Sequence, residues 1–221
     1  MAILSNKKKA DIISFLNKEY PNVKCELNYH SDYEFLIAVV LSAQCTDKKV
    51  NSVTPMLFKH FNSLRSLNKA SYEEIEEIIR PLGLSKNKAL AIIDITDKLL
   101  NKYNSKMPSI REDLMSFKGV GFKTANLVRA EIFLIPEFPV DTHVFRISKR
   151  LAISKEEANT LHVERDLHNF FDEEDWIRFH HQFIHFGRGL CKAQNPDCEK
   201  CGLRKYCNYY QNKDKLSKTV K

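Results

Sequence analysis

A chain of 221 residues with 43% hydrophobic and 29% charged side chains has the composition of an ordinary globular protein, long enough for one good core or two modest ones sharing an interface. Its longest apolar run, Phe35 to Leu41, is far short of the ~20 residues a membrane-spanning helix needs, and no signal-peptide core follows Lys7, Lys8 and Lys9. Membrane insertion and secretion are therefore not expected, and a cytoplasmic, nucleoid-associated location is. The net charge of +7 gathers at the ends, +3 in residues 1–24 and +6 in residues 185–221, as on a polyanion-binding face; solvated tails are the plainer alternative.

In chain order the periodicity is helical nearly throughout. Ile12, Ile13, Phe15 and Leu16 mark one apolar face, stopped by Pro21. Ser31-Asp32 suits the start of a helix from Tyr33 to about Gln44, and its middle is apolar on every side, as in the centre of a bundle. Ser71-x-x-Glu74 is a capping box for a short helix that Pro81 ends. Lys86 to Tyr103 follows, with Leu90, Ile92, Ile93, Ile95, Leu99 and Leu100 expected inward. Ser154-x-x-Glu157 is expected to cap another helix, and Trp176 to Phe186 forms the last. No strand alternation of useful length and no repeat appears, so the expected fold class is all-α. Cys25 and Cys45 adjoin apolar stretches and read as buried thiols.

Three constellations carry chemistry. Ser116-Phe-Lys-Gly-Val-Gly-Phe-Lys-Thr-Ala125 sets two glycines in a tight turn just before a helix, whose unpaired N–H groups and dipole offer a phosphate site. The two helices and turn read as a helix-hairpin-helix, although Gly-Val-Gly alone is more often a plain connection. Lys123, in the first turn, is a candidate nucleophile for sugar C1′ chemistry; a solvent-facing lysine is the ordinary alternative. Pro139-Val-Asp-Thr-His-Val-Phe-Arg146 places Asp141 as a helix N-cap, or as a carboxylate beside a developing cation, with His143 and Arg146 close by. Finally, Cys191-x6-Cys198-x2-Cys201-x5-Cys207 brings four thiols within seventeen residues of one segment. That spacing suits a [4Fe–4S] cluster, one thiolate per iron, better than a zinc ribbon with two tight pairs; disulfides fit least.

Leu41-Ser-Ala-Gln-Cys-Thr-Asp47, Lys118-Gly-Val-Gly-Phe-Lys-Thr-Ala125, Val140-Asp-Thr-His-Val-Phe-Arg146 and the four cysteines together resemble the endonuclease III family of the helix-hairpin-helix DNA glycosylase superfamily, over residues 9 to 210. The resemblance implies two helical domains with a DNA-binding cleft between them. Residues 25–135 would form a six-helix barrel with the hairpin near 113–132; residues 1–24 and 136–221 would form the other domain, with the cluster at 191–207. It implies a monomer that excises oxidised pyrimidines from double-stranded DNA and cleaves the abasic site. By the same resemblance Lys123 attacks C1′, Asp141 stabilises the oxocarbenium-like transition state, and Gln44 and Leu84 fill the hole left by the extruded base. Lys118, Gly119, Gly121 and His143 would contact DNA; Asp47 is a weaker candidate, with helix capping as its alternative.

Two departures stand out. The family turn usually reads Leu-Pro-Gly-Val-Gly-Arg-Lys, whereas this one has Lys118 for the proline and Phe122 for the arginine. Proline at 118 is expected to stabilise by about 0.4–1 kcal/mol if the backbone is compatible, while Lys118 adds a cation near phosphate. The loop Lys192-Ala-Gln-Asn-Pro-Asp197 is also poor in cations. The alternatives are an adenine-from-mismatch glycosylase, against which Lys123 and the chain's end at 221 argue, a pyrimidine-dimer glycosylase, and a non-catalytic cluster-bearing DNA-binding module.

Overall fold

The computed structural model describes residues 6–212. Among them every regular element is helical, and no helix is long and apolar enough to cross a membrane. The helices are α1 (Asn6–Glu19), α2 (Asp32–Leu41), α3 (Asp47–Asn51), α4 (Thr54–His60), α5 (Leu64–Asn68), α6 (Tyr72–Ile79), α7 (Ser85–Asn101), α8 (Arg111–Met115), α9 (Phe122–Phe133), α10 (Thr142–Arg150), α11 (Thr160–Phe170) and α12 (Trp176–Arg188). The chain divides into two compact units, Cys25–Ile135 and the combination of 1–24 with 136–221. The C-terminal lysines Lys213, Lys215, Lys218 and Lys221, part of the positive end read as a polyanion-binding face or a solvated tail, lie outside the described residues.

In the unit of residues 25–135, α2 is the central rod. Every residue from Phe35 to Leu41 is buried, because a helix apolar on all sides loses water contact only when neighbours surround it. It packs against α7 and α9, with Ala89, Ala91, Ile92 and Ile95 from α7 and Ala125 and Val128 from α9 in the same core. The small alanines let the helix axes approach. Both capping-box bonds form at Ser71 and Glu74, and α6 then passes into a 3-10 turn at Arg80–Leu82 that holds Pro81 near its start.

The other unit joins the two ends of the chain because neither covers its own apolar face. Ile12 and Leu16 of α1 are fully buried in a core shared with Phe138, Phe171, Phe179, Phe183 and Phe186. The rings of Phe171 and Phe179 stack at 4.1 Å, and Phe171 meets Phe183 edge-on. Polar contacts fix the register of α1: Gln182 donates to Asn17 Oδ1 and to the Tyr20 carbonyl, and Asp11 accepts from Lys205 and Tyr206, both at 2.7 Å.

Four expectations are corrected. α2 stops at Leu41 rather than Gln44, because Gln44 adopts left-handed φ of 54°. Ser154 and Glu157 do not cap a helix: Asn159 caps α11 by accepting the His162 amide, and Ser154 is buried in the preceding turn. Leu90 is 40% exposed rather than inward, since Ala89, Ala91 and Ile92 take the core face of α7. Cys25 and Cys45 are half-buried against the core rather than enclosed by it.

Candidate functional site

In the unit of residues 25–135, α8 and α9 flank the turn Phe117–Gly121. Gly119 has φ of +82°, and the Val120 amide donates to the Phe117 carbonyl at 3.1 Å, so Lys118 and Gly119 are the central residues of a type II turn. A Cβ on Gly119 would meet Val40 Cγ1 at 3.2 Å and Ala91 Cβ at 3.4 Å. Gly121 instead has extended backbone as the N-cap of α9, and a Cβ there would meet nothing within 4 Å. The two glycines therefore differ in role: Gly119 is required by the fold, and Gly121 leaves an open approach to the first amides of α9. Gly119→Ala is expected to cost about 2–4 kcal/mol, combining left-handed strain with overpacking. Gly121→Ala is expected to stay within about 1 kcal/mol. Urea unfolding of both variants checks this, and equal losses would contradict it.

Lys123 follows in the first turn of α9, exposed. Phe122, at the place of the family arginine, is 40% exposed and carries the Arg111 guanidinium 4.8 Å from its ring centroid. The backbone amide of Lys118 donates to Asp94 Oδ2 at 2.7 Å. Proline at 118 would delete that donor. A hydrogen bond to a charged group contributes about 1.5–3 kcal/mol, more than proline's rigidity returns. The stabilisation expected of Lys118→Pro is accordingly reversed in sign.

Gln44 and Leu84 both project from left-handed backbone, with φ of 54° and 51°, and both are exposed, Leu84 by 52%. Non-glycine residues in this region are strained, and an exposed leucine held there presents an apolar wedge. Lys88 supports that loop. It is 4% exposed, and its ammonium donates to the Leu82 carbonyl at 3.0 Å. Burial lowers its pKa, an effect that the nearby Cys45 thiol partly opposes. Asp47 is the first residue of α3, but the cap is Thr46, whose hydroxyl accepts the Lys49 amide at 3.3 Å.

In the other unit Asp141 caps α10, its Oδ1 accepting the Val144 amide at 2.7 Å. His143 and Arg146 face α12, where Gly187 makes room: a Cβ on it would lie 2.6 Å from His143 Nδ1. Arg146 Nη2 reaches His143 Nδ1 at 3.2 Å and the carbonyls of Gly187 and Cys191 at 3.1 and 2.9 Å. Burial lowers the His143 pKa, against the raising effect of Asp141.

Cys191, Cys198, Cys201 and Cys207 line one cavity of about 360 Å³, counting the solvent at its mouth, with Leu151, Phe186 and Tyr210 among its apolar walls. Among the described residues no three His, Cys, Asp or Glu side chains are set to hold a single metal ion; the thiols surround a shared space instead. Burial pushes Cys201 up to about 11, and it raises Cys207 as well, with the other cysteines adding to both. Arg150 donates to Cys191 Sγ at 3.4 Å and to the carbonyls of Lys192 and Ala193 at 2.7 and 3.1 Å, and it lies 4.1 Å over the Tyr209 ring. A donor set of four thiols, costly to ionise without positive compensation, beside a fixed guanidinium fits a multi-iron cluster.

Sequence reasoning passed over Asp94, Lys88 and Gly187. Lys88 alone left a trace, as a lysine one residue before Ala89 on an otherwise apolar helix face.

Residues 37–173 match the model of the HhH-GPD superfamily of base excision DNA repair proteins. The chain is 40% identical to endonuclease III of Bacillus subtilis (strain 168) over 196 residues, which is 89% of this chain and 90% of that one. Its structure is similar to that of an endonuclease III in a non-covalent DNA complex, at TM-score 0.91 and 40% identity, covering 96% of this chain and all of the other. It is also similar to an endonuclease III trapped in a covalent DNA intermediate, at TM-score 0.87 and 42% identity over 93% and 98% of the two chains. With the hairpin, the capped Asp141 and the four gathered thiols in place, the chain belongs to the endonuclease III family of the HhH-GPD superfamily.

Proposed function

We propose that Lys123 and Asp141 carry the chemistry and that the unit of residues 25–135 is the barrel that grips DNA, while the unit holding residues 191–207 carries a [4Fe–4S] cluster. The chain is a bifunctional DNA glycosylase and abasic-site lyase of base excision repair, acting on double-stranded DNA. The observation that carries the residue roles is Lys123 itself: an exposed lysine sits in the first turn of α9, two residues after Gly121, in a chain 42% identical to one trapped covalently on DNA.

With the damaged nucleotide out of the stack, the Lys123 amine attacks C1′. The C1′–N bond breaks, its electron pair leaves with the base, and the sugar ring opens to a Schiff base. Loss of a C2′ proton then expels the 3′ phosphate by β-elimination, and water releases Lys123. Asp141 offsets positive charge developing at C1′ and assists the proton transfers. Gln44 and Leu84 enter the space vacated by the base, and His143, Lys118, Gly119 and Gly121 contact DNA. Cys191, Cys198, Cys201 and Cys207 would hold the cluster. When bound, it would supply a folding constraint on their segment rather than a step of base removal or strand cleavage.

Oxidised pyrimidines are the proposed substrates. Duplexes each bearing one defined lesion should show incision at oxidised pyrimidines; incision only at pyrimidine dimers or mismatched adenine would refute this. Asp141→Asn should slow base release by roughly 10²–10³-fold. It should keep the fold, because asparagine caps a helix as well as aspartate and can still accept the Val144 amide. Unchanged base release would remove Asp141 from the mechanism.

A further inference from the structure

We infer that Asp94, backed by Lys98, is a positioning residue that pre-sets the phosphate-gripping turn from the neighbouring helix. The inference rests on the reading of Lys118–Gly121 as that turn. Its basis is a row of contacts along one face of α7 and the turn just past its end. Asp94 accepts the Lys118 amide at 2.7 Å. One helical turn on, Lys98 bonds Asp94 at 2.9 Å and donates to the Ser116 carbonyl at 2.5 Å. One further turn on, the Tyr103 hydroxyl donates to Asp113 at 2.9 Å, and Lys102 approaches the same carboxylate at 3.6 Å. Residues 113, 116 and 118 are thus held, in antiparallel order, by 102–103, 98 and 94, and positions 94, 98 and 102 are spaced four apart so that they share a face.

The proximal contact matters most, because it fixes the residue at the first central position of the type II turn. In the family pattern a proline locks φ there covalently. Here Lys118 restores backbone freedom and adds an N–H, and Asp94 captures that N–H. A carboxylate beside a phosphate site is electrostatically adverse on its own, and Lys98 offsets it. Asp94 and Lys98 are both largely covered, with side chains 26% and 31% exposed, so their pair is less screened than a surface one.

Charge and positioning predict opposite results, which makes the test sharp. Binding to a duplex carrying a stable abasic-site analogue is measured well below each variant's unfolding temperature. Charge alone predicts that Asp94→Ala tightens binding, by removing an anion. Positioning predicts that it weakens binding roughly ten-fold, while Asp94→Asn, which keeps an acceptor oxygen, stays within about two-fold of the parent. In a Lys118→Pro background the amide is absent, so adding Asp94→Ala should change nothing. Asp94→Ala binding as tightly as the parent, or a full ten-fold loss persisting in the proline background, overturns the inference. Gly121→Val separates it from its premise. If that variant binds like the parent, the phosphate-turn reading falls and the inference with it; if Gly121→Val is weakened and Asp94→Ala is not, only the role of Asp94 falls.

Discussion

Lys123→Ala should yield no borohydride-trapped protein–DNA adduct and should lower strand cleavage at an abasic site by at least roughly 10³-fold. The magnitude follows from the chemistry, because without an amine at C1′ there is no imine to reduce and no iminium to acidify the C2′ proton. The fold should be untouched. Lys123 is exposed at the start of α9, alanine is the best helix former, and no buried contact is lost. Binding to abasic-site DNA should fall only by the share of one cation, seen as a flattening of the log affinity against log salt slope by at most ~0.9. Trapping at the parental level would assign the nucleophile to another amine.

Cys198→Ser is the second large effect. The parent should be yellow-brown, with about four irons and four sulfides per chain, and the variant colourless with residues 190–210 open to proteolysis. That segment has little else to hold it. Its regular pieces are two 3-10 turns, Cys198–Lys200 and Arg204–Tyr206, and a short helical stretch from 208, and Leu203 is its one fully covered aliphatic side chain. Arg150 and Asp11 pin it at points, but hydrogen bonds at its edges cannot replace a core. Stoichiometric zinc without acid-labile sulfide, in protein made under iron-replete anaerobic conditions, would overturn the cluster assignment; full iron retained in Cys198→Ser would remove Cys198 from the ligand set.

Much of the architecture could be read from local pattern, because its cause is local. An unbroken apolar run made α2 legible as a buried rod, Ser71 and Glu74 formed both bonds of their box, and Asp141 caps α10 as its place before Thr142 implied. Legibility ended where several residues could play one part. Ser154 and Asn159 are both able N-caps, and Asn159 prevails because Ser154 is buried in the preceding turn. Leu90 and Ala89 lie side by side on α7, and only the helices packed around it decide that alanine fits the core face and leucine is left outside.

The hairpin shows the same division. Its glycines, its lysine and its place before a helix are written in consecutive residues, as is the spacing of the four cysteines, so the sequence by itself determined the helical fold class, the kinship and the residues worth testing. That Gly119 is locked by Val40 and Ala91 while Gly121 stands open, that Lys118 hands its amide to Asp94, and that Lys88 holds the loop bearing Leu84 were decided only by tertiary structure. Each of these joins residues that the sequence separates, and a periodicity can tell that a side chain turns inward but not which carbonyl, carboxylate or methyl group it will meet there.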